Sequence, residues 1–208
     1  MSDLVINGQT YSGIEVLKMV NTNHNEVFFG PSTLGAININ DYIEGKVIPS
    51  VYINNTLTAL KNCAMIGCGV RFAYLPQCQA IGESAFYTLD TSLQPYTKCL
   101  EGIYAPNVSI IGREAFCGTS ITKAYFPKCE QLGSGTLGSV FKGCAELTEA
   151  YFPIMSYGIG GSTFANCAKL SNIYMPLVTS IGSSAFYSCV SLASISFPCC
   201  STLYGSVF

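Results

Sequence analysis

The sequence has few charged side chains, and this shortage excludes two broad classes of protein. Only 11% of its 208 residues are charged, and 10 Lys and Arg stand against 12 Asp and Glu. A protein that binds nucleic acid needs a basic excess to neutralise phosphates, so nucleic acid is not an expected partner. Because 49% of the residues are hydrophobic, the chain can bury enough apolar surface to fold, and disorder is not expected.

Long hydrophobic runs are also absent. Gly, Pro, Ser or Asn interrupts every apolar stretch before it reaches about 20 residues, the length that a membrane-spanning helix needs. Residues 1–8 contain no basic segment followed by a long apolar one, so we predict no secretory signal in this chain. The sequence therefore predicts a protein that does not insert into a membrane.

A single histidine limits the catalytic and metal chemistry. A histidine-based triad or metal site would have to be built around His24, in the polar run 21–25. That run predicts a hairpin turn between the apolar segments 16–20 and 26–29, where an exposed histidine is ordinary. The sequence contains no nucleotide cradle, no paired carboxylates in a recurring context and no nucleophile with a credible base. We therefore predict that the protein is not an enzyme and holds no cofactor and no metal.

What the sequence does contain is an internal repeat. The pattern at 124–127, an inward residue followed by Tyr, Phe and Pro, recurs along the chain with small changes. Five or six residues after each Pro comes an aliphatic residue, usually followed by Gly, and then a Phe. Successive Phe residues lie 30, 25, 23, 22 and 22 positions apart, at Phe86, Phe116, Phe141, Phe164, Phe186 and Phe208. An earlier, degenerate copy is also visible, in which residues 59–63 align with residues 140–144. Residues from about 50 onward therefore predict seven units of a solenoid.

The pattern also predicts the shape of one unit. The alternation at Ile195, Ser196 and Phe197 predicts a short strand with two side chains facing the core and one facing outward. Pro198 ends this strand, because proline cannot donate to a β ladder. The segment I-G-x-x-A-F then closes the far side of the coil, where Ala and Phe fill the interior as a small and a large residue.

This unit resembles the repeat of the BspA-type (bacterial surface antigen-like) leucine-rich repeat family. In that family L-x-x-I-x-F-P is followed by I-G-x-x-A-F-x-x-C-x-x-L, and residues 181–192 match the second part throughout. The resemblance implies a mainly β solenoid, a leucine-rich repeat coil of about seven units over residues 49–208. It also implies a surface or virion-associated protein.

Residues 1–48 do not repeat, and they predict a small N-terminal antiparallel β cap or attachment segment. Asn7–Gly8 is a hairpin signal between the apolar residues 4–6 and the run that follows. The segment up to Phe29 is predicted to belong to the same antiparallel unit. Every solenoid needs its first coil covered, so capping is the expected role.

The 11 cysteines stand mostly in repeat positions. One position, three residues after the repeat Phe, contains Cys144, Cys167 and Cys189. Another, two residues after the repeat Pro, contains Cys78, Cys129 and Cys200, where other units have Val or Met. A position that accepts Cys, Val and Met interchangeably predicts a buried packing residue. Disulfides between stacked units are the alternative, and the spacing lacks the paired C-x-x-C of a zinc site.

The outward position of the repeat strand predicts the binding surface. Successive units carry there Tyr74, Tyr104, Tyr125, Tyr151, Tyr174 and Ser196. Since neighbouring strands lie about 4.8 Å apart, the five rings predict one continuous stripe across the sheet. Tyrosine is enriched where proteins bind partners, so this stripe is a candidate ligand-binding face for a protein or a glycan on a surface. The alternative is that the stacked rings only stabilise the sheet.

Two functions follow from these patterns. The principal prediction is a non-catalytic binding or adhesion module that uses the tyrosine stripe, with the insertion at 88–99 as a second candidate site. The alternative is a structural subunit of a fibre, virion or cell-surface assembly joined through the solenoid ends. Because the sequence stops inside a unit, Leu203, Val207 and Phe208 are the candidate residues for self-association, and an open head-to-tail contact would build a filament.

Overall fold

A computed structural model of the chain describes residues 57–65, 70–88, 100–133 and 138–208 in full. Before residue 57 it describes four short strands: β1 (Leu4–Ile6), β2 (Gln9–Tyr11), β3 (Val27–Phe29) and β4 (Val51–Ile53). His24 and most of the insertion predicted at 88–99 lie outside the described residues.

The chain folds into a parallel β-solenoid, which confirms the predicted fold class. The turns contribute short strands to two sheet faces. The first face contains β3, β4, β6 (Phe72–Tyr74), β8 (Gly102–Tyr104), β10 (Lys123–Tyr125), β12 (Glu149–Tyr151) and β13 (Asn172–Tyr174). The second face contains β5 (Ala59–Leu60), β7 (Ala80–Ile81), β9 (Ile110–Ile111), β11 (Gln131–Leu132), β14 (Ser180–Ile181) and β15 (Thr202–Leu203). Among the described residues, no helix is long and apolar enough to cross a membrane.

Equivalent repeat positions lie directly beside each other. In the parallel pair β10 and β12, Ala124 lies opposite Ala150 and Tyr125 lies opposite Tyr151. The next pair, β12 and β13, continues the same register and places Tyr151 opposite Tyr174. As a result, residues that repeat along the sequence form a ladder in space wherever neighbouring turns keep this register.

The core contains such a ladder of phenylalanine rings. The rings of Phe116 and Phe141 are 5.2 Å apart and 3° from parallel, and those of Phe141 and Phe164 are 5.4 Å apart and 5° from parallel. The stack extends to Phe86 at one end and to Phe186 at the other. All five side chains are buried. Stacked aromatic pairs add about 0.5–1.5 kcal/mol beyond their buried area, so this ladder is a main source of stability.

Successive turns approach to backbone contact beside the repeat glycine. A Cβ on Gly182 would lie 2.5 Å from the amide nitrogen of Gly161 and 2.8 Å from the carbonyl carbon of Gly160. Two residues before five of the repeat phenylalanines the backbone is left-handed, with φ between 52° and 56°, at Ser84, Glu114, Ser139, Ser162 and Ser184. The I-G-x-x-A-F motif is therefore the part of the unit that turns the chain tightly into the core.

The structure corrects the alignment of the degenerate first copy. Leu60 pairs with Ile81, not with a repeat Phe. Cys63 has a φ of 59°, which matches the left-handed Ser84. Met65 therefore occupies the position of Phe86, and the predicted equivalence of 59–63 with 140–144 is wrong. The sequence comparison matched Lys and Cys in both segments, whereas the fold aligns the buried aliphatic and large residues.

At the N-terminus the predicted hairpin is confirmed, since β1 and β2 pair antiparallel with Ile6 opposite Gln9. Strand β3 differs from the prediction. It pairs in parallel with β4, with Val27 opposite Val51, and so belongs to the first sheet of the solenoid. Its apolar residues fit a buried parallel strand as well as an antiparallel one, and the pairing partner decides between the two. The domain boundary at residues 48 and 49 stays a prediction.

Candidate binding surfaces

The five tyrosines of the predicted stripe form two separate stacks. The rings of Tyr74 and Tyr104 are 5.0 Å apart and 9° from parallel. Those of Tyr125 and Tyr151 are 4.8 Å apart, and those of Tyr151 and Tyr174 are 5.3 Å apart. Within the described residues, β8 closes one sheet and β10 opens another, so the two stacks lie on different sheets. The stripe is therefore interrupted between Tyr104 and Tyr125, and its predicted continuity is wrong.

In the first stack Tyr74 is only 8% exposed, and Tyr104 is half-buried. Phe72, which the alternation places on the outward side, is buried as well. Burial, and to a smaller extent the neighbouring Tyr104, raise the pKa of Tyr74 above its ordinary value. Beside this stack the guanidinium of Arg71 lies 2.6 Å from a carboxylate oxygen of Glu101. Tyr74 therefore offers little surface to a partner, and Tyr104 is less exposed than Tyr125 and Tyr174.

The second stack, which we call the tyrosine ladder, consists of Tyr125, Tyr151 and Tyr174. Tyr125 is 58% exposed and Tyr174 is 52% exposed, while Tyr151 between them is half-buried by its two neighbours. On the same side of the sheet, Lys123 Nζ lies 3.2 Å from a carboxylate oxygen of Glu149. The ladder is thus an exposed aromatic surface flanked by charges that neutralise each other.

The three candidate assembly residues differ in exposure. Leu203 and Phe208 are 62% and 65% exposed, but Val207 is buried. Phe208 continues the core ladder, with its ring 5.9 Å from that of Phe186, and the carbonyl of Val207 accepts a hydrogen bond from the Phe186 amide. Val207 is therefore a core residue. Self-association through this region stays a prediction.

The cysteines of the two repeat positions pack in or against the core, as predicted, whereas Cys63 and Cys199 are exposed. Each described cysteine is a free thiol. The Sγ atom of Cys144 donates to the carbonyl of Phe116 at 3.0 Å, and that of Cys167 donates to Phe141 at 3.1 Å. Cys129, in the second repeat position, donates to the carbonyl of Gln131 at 3.3 Å. These thiols satisfy buried carbonyl groups while they fill the core. Burial raises the pKa of Cys129 and Cys144 to about 12.

These raised pKa values predict a loss of stability at alkaline pH. In the unfolded chain a thiol loses its proton near pH 8.5, whereas folded Cys129 keeps it up to about pH 12. The stabilisation is therefore complete below about pH 8.5 and declines as the pH rises towards 12. We expect Cys129→Val, which copies the residue at Val108 and Val178, to show a smaller fall in melting temperature between these limits. An equal fall in both proteins would contradict this prediction.

A groove that the sequence analysis did not predict opens on the second sheet face. It has a volume of about 580 Å³ and lies between β11 and β14. Tyr157 and Tyr204, which are 63% and 58% exposed, line it. The signal in the sequence was small: Ile159 follows its proline by six residues, whereas Ile81 and Ile181 follow theirs by five.

Comparison with known proteins found solved structures that are similar to this chain, but no curated protein matched it. A leucine-rich repeat protein from Eubacterium ventriosum is 20% identical with a TM-score of 0.49, over 71% of this chain and 44% of that one. A leucine-rich repeat protein from T. pallidum is 19% identical with a TM-score of 0.49, over 81% of this chain and 78% of that one. The chain thus spans less than half the length of the Eubacterium protein.

The family assignment comes from the sequence profile of the BspA type leucine rich repeat region. Six copies of this repeat match residues 21–139 and 138–208, which together include most of the chain. The match begins before the predicted start of the repeats at residue 49, in agreement with the parallel pairing of β3 and β4. The chain belongs to the BspA-type leucine-rich repeat family.

Proposed function

We propose that the chain is a non-catalytic binding module that contacts a protein partner through the tyrosine ladder. Membership of a leucine-rich repeat family supports an interaction or surface module. The single observation that carries the choice of face is the exposure of Tyr125 and Tyr174, at 58% and 52%, on an ordered three-stranded sheet. Large aromatic side chains rarely remain this exposed in a row unless they form a contact surface.

Stacking prepares the ladder for binding. Each ring is held by its neighbour at 4.8 or 5.3 Å, so little side-chain freedom is lost when a partner docks. Tyrosine also combines a large apolar area with a hydroxyl that can donate or accept a hydrogen bond. These properties favour a rigid, amphipathic surface.

The direction of the rings favours a protein over a glycan at this surface. The faces of Tyr125 and Tyr174 that point towards Tyr151 are covered, and both faces of Tyr151 are covered. What the ladder presents outward is mainly ring edges and hydroxyls. A sugar that stacks needs an open ring face, whereas a protein can pack side chains against edges and hydrogen-bond the hydroxyls.

The charges beside the ladder favour a partner without a strong net charge. Lys123 and Glu149 lie on neighbouring strands and form an ion pair. Because the pair is exposed, its contribution to stability is small, of about 0–1 kcal/mol. Its main effect is that the surface offers neither a basic nor an acidic patch, so recognition depends on shape and on the tyrosines.

The double variant Tyr125→Ser/Tyr151→Ser tests this proposal. Proteins retained by the immobilised wild-type chain are identified by mass spectrometry, and the affinity of each purified candidate is measured by biolayer interferometry. We expect the double variant to bind the partner at least about tenfold more weakly, because interface tyrosines commonly contribute 2 kcal/mol or more.

The matched control is Tyr187→Ser, which removes a 55% exposed tyrosine outside the ladder. Circular dichroism and the melting temperature of all three proteins show whether the fold is intact. Equal retention of the same partner by the wild type and the folded double variant would reject the ladder as the binding surface.

A further inference from the structure

The groove on the second sheet face exists because one turn has an extra residue. In other turns a single residue, such as Gln131 or Ser180, lies between the loop after proline and the buried aliphatic residue. In this turn Tyr157 and Gly158 both occupy that place. An extra residue interrupts a β ladder locally and redirects the side chains beside it.

The interruption divides the second sheet. Of this turn, only Ile159 forms a bridge to a described neighbour, and that neighbour is Ile181 on the side of β14. On the other side, β11 is the last strand of its own four-stranded sheet within the described residues. Within the described residues, the groove therefore lies between two separate sheets.

The groove has a floor of glycine backbone and a wall of hydroxyl and amide groups. Its glycines are Gly158, Gly160, Gly161 and Gly182, and its polar side chains are Gln131, Ser180 and Ser183. The side-chain Nε2 of Gln131 donates to the carbonyl of Gly133 at 2.9 Å, which holds this side chain along the wall. Every described side chain that lines the groove is uncharged.

Tyr157 and Tyr204 at this groove differ from the tyrosines of the ladder. Both are more than half exposed, and within the described part of the chain neither stacks on another aromatic ring. More than half of each side chain is therefore available to a ligand, whereas the ring faces between neighbours in the ladder are covered. Exposed tyrosine rings beside hydroxyl groups and backbone amides combine apolar and hydrogen-bonding surface in one place.

We propose that this groove binds a neutral saccharide. The C–H groups on one face of a pyranose ring can pack on an open tyrosine ring, and its hydroxyls can bond to Ser180, Ser183 and the glycine backbone. The volume of about 580 Å³ lies within the range of about 300–1,000 Å³ typical of ligand pockets. A charged ligand would lose hydration in this groove and find no opposite charge.

Isothermal titration calorimetry with defined oligosaccharides tests the proposal. The probes are maltotetraose, cellotetraose and tetra-N-acetylchitotetraose, with a sulfated heparin tetrasaccharide as the charged comparison. We expect at least one neutral probe to bind with a dissociation constant below about 1 mM, and the heparin probe not to bind. The variant Tyr157→Ser/Tyr204→Ser should weaken that binding at least about tenfold.

Two further variants separate the groove from other surfaces. Ser183→Arg places a long charged side chain at an exposed wall position and should block the neutral probe while both tyrosines stay in place. Tyr125→Ser/Tyr151→Ser should leave saccharide binding unchanged, so this test is independent of the proposed protein-binding function. The inference is overturned if no neutral probe binds at about 10 mM, or if binding survives both groove variants.

Discussion

Replacement of Phe141 by alanine should lower the free energy of unfolding by about 3–5 kcal/mol. Its side chain is fully buried and stacks between Phe116 and Phe164 in the middle of the core ladder. A third ring, that of Phe152, meets it edge-on at 6.0 Å. Alanine would remove three ring contacts and leave a cavity that the rigid stack on both sides cannot fill. Urea unfolding followed by circular dichroism measures the change.

Phe208→Ala is the matched control for this prediction. Phe208 occupies the same repeat position, but it is 65% exposed, and its ring packs against that of Phe186. Its loss should cost less than about 1 kcal/mol, because most of the ring is already in water. Equal losses for Phe141→Ala and Phe208→Ala would show that the core ladder does not account for stability.

The position of Phe141 adds a second observable. In a solenoid each turn contacts mainly its neighbours, so stability is approximately a sum of turns and interfaces. A destabilised central turn should let the two halves unfold separately and so broaden the unfolding transition. The apparent m-value, the slope of unfolding free energy against urea concentration, should therefore fall. Phe208→Ala should keep a sharp transition.

Replacement of Gly182 by valine should destabilise the fold by about 3 kcal/mol or more. A Cβ at this position would lie 2.5 Å from the backbone nitrogen of Gly161, well inside contact distance. The opposing atoms are backbone atoms of the previous turn, where the carbonyl of Gly161 accepts a hydrogen bond from the amide of Ser139. The amide of Gly182 itself donates to Ile159 at 2.7 Å. The clash therefore cannot be relieved by a change of rotamer, and thermal unfolding should show a large fall in melting temperature.

Ser183→Ala is the control for Gly182→Val. Ser183 is the next residue and its side chain is exposed, so the change should stay within about 0.5 kcal/mol. A valine variant that unfolds at the wild-type temperature would mean that the turns can separate at this point without cost, contrary to the close packing of Gly182 on Gly161.

The repeat and most of its local physics can be predicted from the residue pattern. The spacing of Phe, Pro and Gly was enough to predict a parallel coil, because a chain that repeats every 22 to 30 residues can bury its apolar positions by stacking equivalent units. The same reasoning placed Cys129 and Cys144 in the core and Tyr125 and Tyr174 on the surface. Each of these depends only on alternation within one strand or turn.

The contacts between turns follow only from the three-dimensional arrangement of the chain. Tyr74 has the same place in its strand as Tyr125, yet one is buried and the other exposed, because exposure depends on what packs over the sheet. The break between Tyr104 and Tyr125 and the pairing of Leu60 with Ile81 are likewise matters of register between strands. Local sequence patterns do not specify these long-range contacts. The groove follows the same rule: a single extra residue at Tyr157 is minor in sequence, but it interrupts a sheet whose hydrogen bonds require every turn to stay in step.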